Sequence, residues 1–289
     1  MSTILVTGAN GQLGSEIKEL SNEYNSLNFI FTDINELDIT DLNQLKTFFN
    51  NNTVKYIINC AAYTAVDKAE SEIKLAEKIN ITAISNLVKF ATHFNSKLIH
   101  ISTDYVFDGT ANIPYLENAQ TNPKSAYGIT KLKGETEALR YNNSIIIRTS
   151  WLYSYFGNNF VKTMLKLGKD RDELNVVYDQ VGAPTYARDL GKVILQIILN
   201  AEEKSDTFKA GIYNYANNGV CSWFDIAVDI IKFSGYKCKI NPIETKDYPT
   251  PAKRPAYSVL NKNKIQQTFN IEIPYWRDSL ENCLNKLKQ

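Results

Sequence analysis

An α/β fold is predicted: a doubly wound parallel sheet with a smaller C-terminal lobe. Three observations carry the prediction. Short apolar runs at 3–7, 28–32, 55–60, 97–101 and 144–149 alternate with stretches of helical spacing, the pattern of β-α units around a parallel sheet. The first run leads straight into Gly8-Ala9-Asn10-Gly11-Gln12-Leu13-Gly14 and then a helical pattern through Leu20. A turn of that kind lets backbone approach a pyrophosphate at a helix N-terminus, which makes the sheet Rossmann-type. Finally, 289 residues suffice for one large domain with a smaller second lobe. Residues 1–150 are read as the dinucleotide-binding domain and 151–289 as mainly a substrate-binding lobe, some segments of which return to the first domain.

Composition narrows the function. Hydrophobic residues make up 44% and charged residues 22%, the balance of an ordinary globular protein. A net charge of +1 gives no reason to expect a nucleic-acid or membrane partner. No apolar run approaches the roughly 18 residues of a spanning helix, and the N-terminus reads as a strand instead of a signal peptide. The four cysteines are far apart with no Cys-x-x-Cys pair, as expected of reduced thiols in a cytoplasmic protein. With only two histidines, His93 and His100, proton chemistry must rest on other side chains. His100 falls in the middle of an apolar run and reads as a core residue.

Taken in order, the strand at 3–7 delivers Gly8, Asn10, Gly11, Gln12, Leu13 and Gly14 to a cofactor. The strand at 28–32 ends at Asp33, about 20 residues beyond the last glycine, where a carboxylate can accept from the adenosine ribose hydroxyls. An acid there favours NADH, since it repels a 2′-phosphate; the same residue could also cap the following turn. Leu37-Asp38-Ile39-Thr40 reads as a short segment beside the adenine, followed by an amphipathic helix from Asp41 to about Asn51. The strand at 55–60 ends in Ala61-Ala62-Tyr63, small residues that leave room for phosphates and ribose or that simply pack tightly. Helices are expected over 69–80 and 80–95, the second carrying Asn80 near its start. The strand at 97–101 then brings Ser102-Thr103-Asp104 to the carboxyl edge, where open α/β sheets bind ligands. Residues 105–126 read as a loop over the site, and Ser144–Thr149 as a sixth strand.

The chemistry centres on Tyr127-Gly128-Ile129-Thr130-Lys131. On a helix, Tyr127 and Lys131 stand at i and i+4 and project from one face. An ammonium beside a phenol is expected to lower the tyrosine pKa from about 10 toward working pH, so that it can protonate a carbonyl oxygen. Thr103 is placed to hold the same oxygen. A Tyr-x-x-x-Lys pair alone is a weak signal in a chain with 17 tyrosines; the glycine turn and the Ser-Thr-Asp run give it weight.

Beyond 150 the alternation loosens. Helical patterns at 157–168, 186–200, 222–234 and 277–288 are separated by Pro-containing loops. From Lys232 onward there are eleven Lys or Arg against five Asp or Glu, an excess suited to an anionic nucleotide diphosphate or simply to a solvated basic face. Gln180-Val181-Gly182-Ala183-Pro184-Thr185 and Arg254-Pro255 are candidate substrate loops, since Arg offers phosphate a planar fork of donors.

With these residues in view, the chain resembles the extended short-chain dehydrogenase/reductase family, and within it reductases of dTDP-sugars. The matching runs are 6–14, 59–70, Ser102-Thr103-Asp104-Tyr105-Val106-Phe107, Tyr127–Lys131, Arg148-Thr149-Ser150-Trp151 and 182–185, which together reach across essentially the whole chain. The resemblance implies reduction by NADPH or NADH of the 4-keto group of dTDP-6-deoxy-L-lyxo-4-hexulose, giving dTDP-L-rhamnose. It makes Thr103, Tyr127 and Lys131 the catalytic triad and has Trp151 meet the sugar nucleotide, beside Asp104, Gln180 and Arg254 as further candidate substrate contacts. Two rivals share the fold. A nucleotide-sugar 4,6-dehydratase needs an Asp-Glu pair after the threonine, whereas Asp104 is followed by Tyr105. A regulatory subunit resembling the β subunit of methionine adenosyltransferase would not need Thr103, Tyr127 and Lys131 intact. An epimerase of the same family is a further alternative. The resemblance also allows a homodimer. Some relatives bind Mg²⁺ through glutamates at a dimer contact, and Glu16 matches one such position. Arg188 stands where another acid would be, so Mg²⁺ is not supported by the sequence.

Overall fold

The structure is a computed structural model that describes residues 1–288. Its centre is a sheet of six strands: β1 (Ser2–Thr7), β2 (Leu27–Thr32), β3 (Tyr56–Asn59), β4 (Lys97–Thr103), β5 (Ser144–Thr149) and a last strand, Gly211–Tyr215. The spatial order is Gly211–Tyr215, β5, β4, β3, β1, β2, and every neighbouring pair is parallel. The winding reverses between β1 and β3, which opens a crevice at their carboxyl ends. This is a doubly wound, Rossmann-type α/β sheet.

Side-chain alternation builds the two faces. Ile145 and Ile147 point with Ile4, Val6 and Ile58 toward the helices Gln12–Leu20 and Ala187–Glu203. Ile146 points with Leu5, Ile57 and Leu98 toward Leu42–Asn51 and Ala83–Phe94. Strands buried on both faces read as unbroken apolar runs, which is why they stand out in the sequence.

Between β3 and β4 the helices depart from expectation. The two helices expected over 69–95 are a short turn, Val66–Ala69, and one unbroken helical path from Ile73 to Phe94 with a π turn at Lys78–Thr82. The π turn aims the Asn80 side chain outward to accept from the Tyr63 amide at 2.9 Å and to donate to Thr130 at 3.1 Å. Gly134 lies so close to the Asn80 carbonyl that any Cβ would collide with it. The helix carrying Tyr127 therefore packs directly against the π turn.

That helix, Ala126–Ala138, is capped by Ser125, whose hydroxyl accepts from the Gly128 amide at 3.1 Å. A buried ion pair fixes its other end. Arg148 of β5 donates from Nε to Glu135 Oε1 at 2.9 Å and from Nη2 to Oε2 at 2.7 Å, while Ser102 of β4 donates to Oε1 at 2.5 Å. Arg148 Nη1 also holds the Glu117 carbonyl of the overlying loop at 3.0 Å.

Two strand assignments change. Ser144–Thr149 is the fifth strand, and the sixth, Gly211–Tyr215, has no counterpart in the sequence reading. Its Asn214 breaks the apolar run because it is used: its amide N–H donates to Glu117 and its Nδ2 to the Tyr115 carbonyl, both from the loop. Residues 37–40 form a turn, with Thr40 donating twice to Asp38.

The C-terminal part has its own core around Tyr153, Met164, Tyr186, Ile230, Trp276 and Leu280. Its helices Phe160–Asp170, Trp223–Ser234 and Trp276–Leu287 surround the parallel pair Glu173–Val177 and Lys239–Ile243. The helix Ala187–Glu203, the strand Gly211–Tyr215 and the helix Asn263–Phe269 belong instead to the core of the large sheet. Ser154 donates to Glu16 at 2.6 Å and Asn159 to Gln12 at 2.9 Å, tying the smaller lobe to the helix behind the glycine turn.

Removing one partner of a buried pair strands the other charge. Glu135→Gln should therefore lower stability by about 3–5 kcal/mol in denaturant titration; a loss below about 1 kcal/mol would mean that the pair is not what holds the helix to the sheet.

Candidate active site

The crevice deepens into one cleft of about 560 Å³, running from the glycine turn at Gly11–Gly14 past Ala62 to Thr103, Asp104, Tyr127 and Lys131, and on to Trp151 and Trp223. Its floor is shaped by missing side chains. Gly8 adopts φ +65° with the Ala61 backbone where a Cβ would be, at 2.6 Å, and a Cβ on Gly14 would overlap the Gly8 carbonyl. The helix Gln12–Leu20 begins at Gly11 with no side-chain cap, leaving its first N–H groups for an anionic ligand. These features fit the pyrophosphate of a nicotinamide dinucleotide.

Asp33 lies beside this floor at the end of β2. Its Oδ2 accepts from the Asn10 amide at 2.9 Å and its Oδ1 from the Ile34 amide at 2.8 Å. The carboxylate thus braces the glycine turn. Asp38 is tied to Thr40, and the Ile39 carbonyl accepts from Asn86 at 3.2 Å. Tyr63 is held by Asn80 and donates its hydroxyl to Glu72 at 2.6 Å.

At the other end, Thr103, Asp104, Tyr127 and Lys131 are brought together from β4 and the Ala126–Ala138 helix, all at most 8% exposed. Thr103 Oγ1 accepts from the Tyr105 amide at 3.2 Å and lies 2.9 Å from Asp104 Oδ1. Lys131 Nζ donates to the Ile101 carbonyl at 2.7 Å.

Electrostatics correct one expectation. The Tyr127 phenol is raised above its ordinary value instead of lowered: burial penalises phenolate and outweighs the Thr103 hydroxyl, while Asp104 and Tyr105 push the same way as burial. Burial also lowers the Lys131 ammonium to about 8, partly offset by Glu135. The expectation from spacing treated charge as if it acted in water; desolvation of both groups is the larger effect here. A raised phenol remains a competent acid toward an alkoxide, a stronger base than phenolate.

Trp151 sits at the substrate end with φ +48° and stacks on Trp223 at 3.9 Å between ring centroids, 14° from parallel. Gly182 makes room for it, since a Cβ there would lie 2.7 Å from the indole. Gln180 and Arg254 do not line the cleft. Gln180 donates to Thr245 at 3.1 Å. Arg254 gives Nη2 to Asp67 at 2.5 Å and Nη1 to the Tyr105 hydroxyl at 3.2 Å, so its fork is already engaged beside a small recess with Lys124 and Lys253. Glu16 is fully buried and faces Arg188 at 3.5 Å. Among the described residues no group of three or more His, Cys, Asp or Glu is arranged to hold a metal ion.

Trp223, Asn159 and Glu135 were not singled out from the sequence. Glu135 was within reach, because it continues the i, i+4 stripe of Tyr127 and Lys131. Trp223 and Asn159 meet the site only through the folding of the second lobe.

A Rossmann-type sheet with a glycine turn at one end of a cleft and a Thr, Tyr and Lys set at the other defines a short-chain dehydrogenase/reductase. The chain belongs to the family described as RmlD substrate binding domain, whose model it matches over residues 1–289. It is 42% identical to a dTDP-4-dehydrorhamnose reductase of Aggregatibacter actinomycetemcomitans, over 98% of each chain. The solved dTDP-4-dehydrorhamnose reductase of Clostridium acetobutylicum superposes with a TM-score of 0.92 at 44% identity, covering 99% of this chain and 100% of that one. That of Bacillus anthracis, in complex with NADP, gives 0.93 at 38%, with the same coverage.

If Asp33 also takes a ribose 2′-hydroxyl, Asp33→Ala removes an acceptor that NADH can use and the 2′-phosphate of NADPH cannot. The variant should bind NADH about tenfold more weakly or worse, the size of one hydrogen bond to a charged group, and lose less for NADPH. Titration with both cofactors decides it: equal losses would leave Asp33 as a brace for Asn10 alone.

Proposed function

We infer that this chain reduces the 4-keto group of dTDP-6-deoxy-L-lyxo-4-hexulose with NADPH or NADH, giving dTDP-L-rhamnose. The observation that carries the reading is a single cleft joining the uncapped helix N-terminus at the glycine turn to Thr103, Tyr127 and Lys131. The relatives named above support the same substrate.

When bound, the reduced nicotinamide supplies a hydride to the ketone carbon. Gly8, Asn10, Gly11, Gln12, Leu13 and Gly14 hold the pyrophosphate, with Asp33, Asp38, Ile39, Ala61, Ala62 and Tyr63 bordering the adenosine half. Tyr127 gives its phenolic proton to the ketone oxygen as negative charge develops there. Thr103 holds that oxygen in place. Lys131, fixed on the Ile101 carbonyl, presents its remaining N–H groups to the nicotinamide ribose and stabilises the phenolate that Tyr127 leaves behind. Trp151 and Asp104 meet the sugar, with Trp223 backing the indole. Gln180 and Arg254 would reach a substrate only after exchanging the partners they now hold. Net reduction needs no second carboxyl group, and Asp104 is followed by Tyr105, which sets this site apart from an eliminating dehydratase. A charged sugar nucleotide and a reduced nicotinamide are cytoplasmic reactants, consistent with four free cysteines.

Tyr127→Phe should leave the cofactor dissociation constant nearly unchanged and lower kcat by on the order of 10² to 10⁴, the usual contribution of a general acid. A variant that keeps more than half the wild-type rate would remove Tyr127 from the mechanism.

A further inference from the structure

Asp104 is 3% exposed, and its Oδ2 is buried with no hydrogen-bond partner. Every group that faces it is neutral or already engaged. Tyr105 comes from its own turn, Tyr127 from the helix, and the Ser258 hydroxyl from the C-terminal segment. The two nearby cations are committed elsewhere, Lys131 to the Ile101 carbonyl and Arg254 to Asp67 and the Tyr105 hydroxyl. A carboxylate anion buried without a cation is costly, and the neutral acid avoids that cost.

The proton matters because of what Thr103 must do. Its hydroxyl has one hydrogen, and Thr103 Oγ1 and Asp104 Oδ1 are 2.9 Å apart. An ionised Asp104 can only accept, so it captures the Thr103 proton and leaves none for a substrate oxygen. A neutral Asp104 donates to Thr103 Oγ1 instead, and the Thr103 hydroxyl hydrogen is free to turn into the cleft. We propose that Asp104 is a positioning residue that works as a neutral acid, setting the direction of the chain Asp104 → Thr103 → ketone oxygen so that Thr103 donates alongside Tyr127. The ionised form fails twice, because it reverses this chain and places a negative charge beside the developing alkoxide. Burial, against the opposing influence of the Thr103 and Ser258 hydroxyls and of the Asp104 and Tyr105 backbone N–H groups, raises Asp104 to about 7, so the switch falls near neutrality.

The inference rests on the reductase reading and is tested with the full chain, keto-sugar and NADPH. Wild-type kcat/KM should fall as pH rises through neutrality, approaching about tenfold per pH unit above the Asp104 pKa, as for loss of one essential proton. Asp104→Asn carries a permanent donor of the same shape; whatever it loses in sugar contact, its kcat/KM should stay above that of Asp104→Ala and lose this fall, with only the higher limb of Lys131 remaining. Asp104→Ala should be slow at every pH while still melting cooperatively and binding NADPH. A flat wild-type profile through neutrality overturns the proposal without any variant, as does an Asn variant whose profile matches wild type or whose activity is no better than that of Ala. Absence of reduction by the wild type at every pH would instead remove the reductase reading.

Discussion

The buried pair between Arg148 and Glu135 is the contact on which the rest of the site depends. Tyr127 and Lys131 work only if one helix face is held at a fixed height above the ends of β4 and β5. Glu135, two helical steps beyond Tyr127 on the same stripe, is bonded to Arg148 of β5 and Ser102 of β4 together. Ser102 immediately precedes Thr103, so the same carboxylate that anchors the helix also fixes the strand end carrying the threonine. Arg148 adds the loop through the Glu117 carbonyl, and Glu117 in turn caps the edge strand at Asn214. Sheet, helix and covering loop are joined through one pair of charges.

Burial then decides the chemistry of what this frame holds. Tyr127 and Asp104 are raised and Lys131 is lowered, each shift led by desolvation. All three move toward their neutral forms, with Lys131, at about 8, still the cation of the set near neutrality. The charge appears on the ketone oxygen as hydride arrives, where preformed donors stabilise it more than they stabilise the ground state. Because all three shifts arise from exclusion of water, the covering loop at 105–125 and the second lobe contribute to catalysis without touching the reacting atoms.

Much of this was legible in the sequence where local pattern alone decides the outcome. Strands buried on both faces announce themselves as apolar runs, the glycine turn by the spacing of residues that must lack a Cβ, and Tyr127 with Lys131 by helical periodicity. What could not be read depends on long-range partners. The edge strand at Gly211–Tyr215 is hidden by Asn214, whose side chain is polar because the Tyr115 carbonyl lies across from it. Arg254 carries the chemistry of a phosphate ligand, but its fork is taken by Asp67, far away in the chain. The i, i+4 spacing put Tyr127 and Lys131 on one helix, where both line the cleft, yet gave the wrong sign for the phenol, since spacing says nothing of how much water surrounds a pair.

The most direct measurement supplies the purified chain with dTDP-6-deoxy-L-lyxo-4-hexulose and NADPH alone, identifies the sugar nucleotide formed by NMR and follows nicotinamide oxidation. The expected result is dTDP-L-rhamnose with one equivalent of NADPH oxidised for each equivalent formed. No turnover, or a sugar that has lost water or changed configuration without net oxidation of the cofactor, would contradict the assignment of this cleft as a ketone-reducing site.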